Sequence, residues 1–241
     1  MKKIILILLL LWIPSYFFAL SGEEILKKSD EQWVPDICSY LLTMKTIESG
    51  GDEKENQFKG FKKGSVKNVM TVVKPKKISG SVFLRKDDVI FSYYTTNHKL
   101  NKVAYQSLFM GSLLSYGDVL ATELSFDYNV SKTEETGEDY ILTLTPKQGQ
   151  SGYGKVVIQI GKKDFLPKKR DYYALSGILL KSCVFNKIEF DGKNLSYMEQ
   201  EFFEPLKERK TIVSLSSVEI LKDIPEKYYN ENFIQYLSGL K

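Results

Sequence analysis

Phe109-Met110-Gly111-Ser112-Leu113-Leu114-Ser115-Tyr116-Gly117-Asp118-Val119 is the stretch from which the rest of the chain is read. It lies mid-chain between two runs of short β-like segments. Its chemistry is unusual for a connection, because large apolar groups are interleaved with Gly and Ser and the stretch closes on an Asp. Gly111 and Gly117 permit backbone conformations that other residues resist, so the chain can turn sharply at both. Ser115 is placed to cap a short helix over 116–120, its hydroxyl accepting from backbone N–H groups. Phe109, Met110, Leu113 and Leu114 then project toward something apolar. Two readings follow: a loop that plugs one end of the protein's own core, or a mobile flap over a hydrophobic cavity.

On either side the text reads as strands. Tyr40, Leu42, Met44 and Thr46 alternate with Leu41, Thr43 and Lys45, and Gly50-Gly51-Asp52 follows as a hairpin signal. Further strands are expected over 57–63, 66–73, 81–85 and 89–94, with a turn at Lys86-Asp87-Asp88. Beyond the central stretch they continue over 126–133, 140–145, 155–160, 168–173, 178–190, 195–203 and 211–220. Short strands joined by tight turns, with no helices between them, argue an antiparallel meander. One this long must curl to protect its edges, into a barrel, a half-barrel or a sandwich. An amphipathic helix from Ser21 or Gly22 to Trp33, with Ile25, Leu26, Ser29 and Trp33 on one side, is expected to pack on the concave face before Pro35 ends it. Pro225 is expected to start a terminal helix over 226–230, continued over 231–237. Val69, Met70, Val72 and Val73, then Val89, Ile90, Phe91, Tyr93 and Tyr94, put bulk on both strand faces. One of those faces must meet the helices or a ligand.

The chain has 241 residues with 43% hydrophobic and 13% aromatic content, enough for one sizeable β-rich core. Net charge is 34 − 30 = +4, too small a basic excess for a nucleic-acid groove binder. Lys2 and Lys3, the apolar run 4–11 and the small residues of Ala19-Leu20-Ser21 read as a secretory signal over 1–21, cleaved before Gly22. A retained membrane anchor is the alternative, since the uncharged stretch 4–20 approaches the minimum span. No Cys stands near the cleavage point to carry a bacterial lipid anchor, so a soluble mature domain over 22–241 is expected. Cys38 and Cys183 are either a disulfide pair or two buried thiols, and their spacing fits no zinc site. His98, the one histidine, lies in a polar turn with no nucleophile elbow in the sequence. Gly152 and Gly154 precede a strand, so no helix N-terminus is available for a phosphate. Asp87-Asp88 and Glu134-Glu135 read as solvated turn carboxylates. No metal, cofactor or catalytic group is implied.

The central stretch also resembles a known family. Phe109-Met110-Gly111-Ser112, with Leu114-Ser115-Tyr116 and Asp118, is similar to the signature FMGSDFSYEDL of the outer-membrane lipoprotein-sorting proteins, the LolA-like group. Pro75, Gly80 and Phe83-Leu84 resemble a further segment of that family. Asp164-Phe165-Leu166-Pro167 and Ile224-Pro225-Glu226-Lys227-Tyr228-Tyr229 fall where it has two Leu-Pro motifs. The resemblance covers roughly residues 60–238. Leu113 and Gly117 stand where the family has acids, and Phe91 and Thr95 replace a Trp and a Pro.

The resemblance implies an unclosed antiparallel barrel with helices and a loop across its concave side. It also implies a periplasmic, non-enzymatic carrier for the acyl chains of lipoproteins in a diderm bacterium. Its expected partners are an inner-membrane lipoprotein-releasing ABC transporter and an outer-membrane acceptor or the outer membrane itself, and a monomer is expected. The candidate cavity and flap residues are Val72, Phe83, Phe91, Tyr93, Phe109, Met110, Leu113, Leu114 and Tyr116, with Gly111, Ser112, Ser115, Gly117 and Asp118 as hinge or latch. Because the two acids are missing, closure is expected to rest on apolar contact more than on ion pairs. A carrier or sensor for another lipid is the alternative, as is a non-catalytic β-domain with a filled core.

Overall fold

The computed structural model describes residues 20–33, 35–121, 123–147 and 152–239. The signal reading at 1–21 lies almost wholly outside them. Among the described residues there are thirteen strands. The first six are β1 (Ile37–Ile47), β2 (Glu53–Lys63), β3 (Lys67–Lys74), β4 (Val82–Lys86), β5 (Val89–Tyr94) and β6 (Lys99–Val103). After the central stretch come β7 (Tyr128–Glu135), β8 (Asp139–Pro146), β9 (Lys155–Gly161) and β10 (Pro167–Tyr173). The last three are β11 (Leu179–Asp191), β12 (Asn194–Glu204) and β13 (Arg209–Ile220). Helix α1 (Gly22–Trp33) precedes the sheet, while α2 (Tyr116–Leu120) and α3 (Leu124–Asp127) lie between β6 and β7.

All thirteen strands form one antiparallel sheet in the order β6-β5-β4-β3-β2-β1-β13-β12-β11-β10-β9-β8-β7. β6 and β7 are its two edges and do not pair with each other, so the barrel is unclosed. Every other pair of consecutive strands is adjacent in the sheet, and the one pairing between strands distant in sequence is β1 with β13, where Ile47 lies opposite Lys210 and Cys38 opposite Ile220.

Alternation places Cys38, Tyr40, Leu42 and Met44 of β1 in the large core on the concave face. Phe58, Met70, Val72, Phe83 and Ile90 join them from β2–β5, and Leu142, Ile158, Met198 and Leu215 from the other half. α1 is closed at its start by reciprocal bonds, Glu24 N–H donating to Ser21 Oγ at 3.2 Å and Ser21 N–H to Glu24 Oε2 at 2.8 Å. Its Ile25 and Leu26 are buried in the same core.

The opposite face of β3–β5 is also buried. Val69, Val82, Leu84 and Tyr93 lie under Ile224, Tyr229, Ile234 and Leu237 of the C-terminal segment, with Phe61 and Phe91 packed alongside. That segment is not the expected continuous helix. It forms two 3₁₀ pieces, Glu226–Tyr229 and Ile234–Gly239. The apolar bulk on both faces of these strands is therefore met on one side by the chain's own C-terminus.

Candidate functional site

Between β6 and β7 the chain leaves the sheet and inserts into its concave side. Residues 105–117 fold back on themselves: Phe109 N–H donates to Leu114 C=O at 2.7 Å, Tyr116 N–H to Ser107 C=O at 3.0 Å, and Gly117 N–H to Tyr105 C=O at 2.9 Å. The tip reverses at Met110 (φ 51°) and Gly111 (φ 74°), two successive left-handed residues. Ser112 is 1% exposed, its hydroxyl donating to Phe109 C=O at 2.8 Å and accepting from Leu114 N–H at 3.1 Å. The expected cap on α2 is present: Ser115 Oγ accepts from Asp118 N–H at 3.1 Å, and Asp118 Oδ2 accepts from Ser115 N–H at 2.6 Å. Gly117 starts no left-handed turn of its own, unlike Gly111. It is a point of close approach, where a Cβ would sit 1.9 Å from the Tyr105 ring.

Phe109 anchors the insert. It is fully buried, with its ring 4.8 Å from Phe83, 5.4 Å from Phe58 and 5.0 Å from Tyr116 between centroids. Leu113, Leu114 and Tyr116 are buried too, and Met110 is half-buried. Of the candidate residues, Val72, Phe83, Phe109, Met110, Leu113, Leu114 and Tyr116 thus share the concave side. Phe91 and Tyr93 do not. The two-residue turn at Asp87-Asp88 pairs Lys86 with Val89, which sets Phe83 opposite Ser92 and Val82 opposite Tyr93. Phe91 and Tyr93 consequently share the far face with Val82 and Leu84, under the C-terminal segment.

Three ion pairs tie the insert to the sheet. Asp118 meets Lys181 of β11 at 2.5 Å, with both side chains at least 94% buried. Glu123 meets Lys62 of β2 at 3.1 Å. Asp127 meets Arg85 of β4 at 2.9 Å, each side chain 1% exposed. Tyr153 donates its hydroxyl to Asp118 at 2.7 Å, and Tyr105 donates to Asp127. Burial pushes the Asp118 carboxyl up, but the Lys181 ammonium and the Ser115 and Tyr153 donors outweigh it and hold the carboxyl below the usual range. The contact between insert and sheet is therefore polar as well as apolar, although the two family acids at 113 and 117 are absent. No local sequence pattern announces Lys181, Lys62 or Arg85, because their partners lie about 40 to 60 residues away.

A cavity of about 70 Å³ remains between the insert and the sheet. Leu114, Asp118 and Val119 line it from the insert, and Leu42, Met44, Met198 and Leu215 from the sheet. The sheet-side residues were not among the candidates, although the alternation in β1 marks Leu42 and Met44 as one face. Cys38 also lines the cavity, while Cys183 is fully buried, and both are free thiols. Burial pushes their pKa values up, to about 11 and about 12. His98 sits in its turn with Nδ1 3.0 Å from the Tyr93 hydroxyl, remote from the cavity. Among the described residues no cluster of His, Cys, Asp or Glu is arranged to hold a metal ion.

One acid near the base of the insert titrates unusually. Asp30 of α1 is 4% exposed and accepts from Ser125 N–H at 2.7 Å. Burial raises its pKa to about 6, against the opposing effects of Ser125 and the Arg170 charge. The folded protein therefore keeps this proton up to about pH 6, while the unfolded chain releases it near the ordinary aspartate value of 3.8. Stability falls as pH rises through that window and is level above it. Asp30→Asn keeps an acceptor for Ser125. We expect it to raise stability at pH 7.5 by up to about 3 kcal/mol, with little change near pH 4, in urea unfolding at the two pH values.

The comparisons agree with this architecture. A LolA superfamily protein from Nitrosomonas europaea superposes with a TM-score of 0.78 at 20% identity, covering 89% of this chain and 100% of that one. A DUF1329 family protein from Desulfovibrio piger gives 0.76 at 20% identity, covering 88% and 97%. A Vibrio parahaemolyticus protein named for an outer membrane lipoprotein-sorting domain gives 0.75 at 19% identity, covering 89% and 98%. At these identities the likeness establishes the fold. No curated protein sequence matches the chain. A family model described as "Uncharacterized protein" matches residues 64–236, which include the insert, both edge strands and most of the C-terminal cover. The chain belongs to that family, and its fold is LolA-like.

Proposed function

We propose that the protein is a periplasmic carrier that takes lipoprotein acyl chains into the concave side of the sheet and moves them from the inner to the outer membrane. Its leader over 1–21 is removed, leaving an unlipidated chain from Gly22. An inner-membrane ABC transporter loads it, and an outer-membrane acceptor or the membrane itself unloads it. The observation that carries this reading is an apolar concave face covered by a separate insert rather than by a second sheet. The remaining cavity, about 70 Å³, is far below the roughly 300–1,000 Å³ of ligand pockets. Cargo therefore enters by displacing the insert, with Met110-Gly111 at its tip and the Asp118–Lys181 pair as its latch. Each exposed CH₂ costs about 0.8 kcal/mol, so an acyl anchor needs such a shield to cross water. Met44 and Met198 give the wall side chains that repack around variable chains. The role needs no catalytic group.

Replacing Met198 with Asp puts a charge on the cavity wall and is expected to weaken uptake of a fluorescent fatty acid by about tenfold or more. Phe91→Asp, on the far face, should leave uptake unchanged in whatever fraction stays folded. Equal loss in both variants would place the acyl site elsewhere. Solvent extraction of the purified protein followed by mass spectrometry identifies the cargo. The tight fill of the concave side favours one second reading, a non-catalytic envelope interaction domain with a permanently closed core. A protein that neither yields lipid nor takes up the probe would be that.

A further inference from the structure

We propose that the rim of the half-barrel beside the insert docks on the surface of a lipid bilayer through apolar side chains at adjacent turn tips. This goes beyond the carrier reading and stands on different residues. The β10–β11 turn and the β12–β13 turn are neighbours, since Tyr173 pairs with Leu179 and Ser182 pairs with Phe203. Leu175 at the first is 94% exposed and Ile178 is 55% exposed, while Leu206 at the second is 70% exposed and Phe203 is 41% exposed. Leu108 of the insert, 57% exposed, completes the group, for it shares a recess of about 220 Å³ with Leu180 and Glu204 at the same end of the strands. Five large apolar side chains thus stand in water around the outer end of the insert.

The form of this surface favours a bilayer over a protein. The side chains are spread over two turns, the end of β12 and the insert and do not line one groove, so a fluid layer can accommodate each singly. Several of the charges interleaved with them are paired within the rim. Glu204 holds Arg209 at 2.8 Å and Lys207 at 3.1 Å, and Arg209 also reaches Glu48 at 3.6 Å. Such a rim fits a zwitterionic headgroup layer and does not need an anionic one. At the same end Tyr173 carries the Lys155 ammonium 4.6 Å from its ring centroid, an amphipathic aromatic of the kind that settles at headgroup depth. Leu108 links the surface to the insert, so a docked rim brings the covered cavity to the membrane.

The test is flotation of the purified protein with vesicles of phosphatidylcholine and phosphatidylethanolamine, and with the same vesicles containing phosphatidylglycerol. The protein should float with both, equally in low and high salt. Leu175→Ser/Leu206→Ser should cut the bound fraction by about tenfold. Leu100→Ser, at an exposed apolar position on edge strand β6, should not change it. The substituted turns are exposed, so unchanged thermal melts are expected and serve as the fold control. Failure of the wild type to float, or normal flotation of the double variant, overturns the proposal. So does binding that requires phosphatidylglycerol and collapses in salt, which would mark a basic surface instead. Fatty-acid uptake without vesicles should be unaffected in the double variant. Its absence in the wild type would end the carrier reading and leave the flotation result standing.

Discussion

Arg85→Met is expected to be among the most damaging single changes in the protein. The substitution leaves Asp127 1% exposed with its cation gone and the Tyr105 hydroxyl still donating to it. Breaking a buried pair from one side costs about 3–5 kcal/mol, a fall of roughly 6–20 °C in melting temperature for a domain of this size. The damage should be non-additive. Arg85→Met/Asp127→Leu removes both charges and should recover most of the loss, because desolvating the pair consumes much of what their attraction returns. A double variant no better than either single would mean that the geometry around Tyr105 and the Asp87 carbonyl, and not the charge, is what Arg85 supplies.

Phe109→Ala is the second large effect. The ring fills the junction of Phe58, Phe83 and Tyr116, and truncating such a residue costs about 3–5 kcal/mol through lost contact and the void left behind. Where the loss appears matters more than its size. If the insert opens as a unit, amide exchange should rise at Phe109, Ser112, Tyr116 and Gly117, whose N–H groups are bonded within it, while the β1–β13 ladder keeps its protection. Retention of a fluorescent fatty acid should fall in the same variant. A uniform rise in exchange across the sheet would mean that the segment is simply core. Salt should have little effect on closure either way, since Asp118–Lys181 and Arg85–Asp127 are buried and poorly screened.

The meander was legible because period-2 alternation and two-residue turns are local signals. β5 appears at its expected bounds and the cap at Ser115 is as read. β6 was missed because its five residues are largely exposed and polar, so no buried face shows in the text; pairing with β5 makes it a strand. α3 falls where the start of a strand was expected, and its Asp127 is held by Arg85 from 42 positions away. The face of Phe91 and Tyr93 was available in principle. A two-residue turn at Asp87-Asp88 fixes the pairing, and with it which residues share a side with Phe83. Which side of the curl is concave is not written in any one strand, and neither are the three ion pairs, which depend on how distant strands come together. Lys181 in particular reads as one more polar residue until β11 carries it under the insert.

The strand order has a consequence for how the chain is assembled. The two edges of the sheet, β6 and β7, are consecutive in sequence, while its middle seam joins β1 to β13 across nearly the whole chain. Each half is a run of hairpins that can form as it emerges, at small loop-closure cost, whereas the seam closes a very long loop and must wait for the last strand. Until then β1 carries an unpaired edge, and the far face of β3–β5 lacks the C-terminal cover that follows β13. The first half is thus the vulnerable one during synthesis, with an open strand edge and an uncovered apolar face at the same time. β13 and the segment that follows it remove both exposures together.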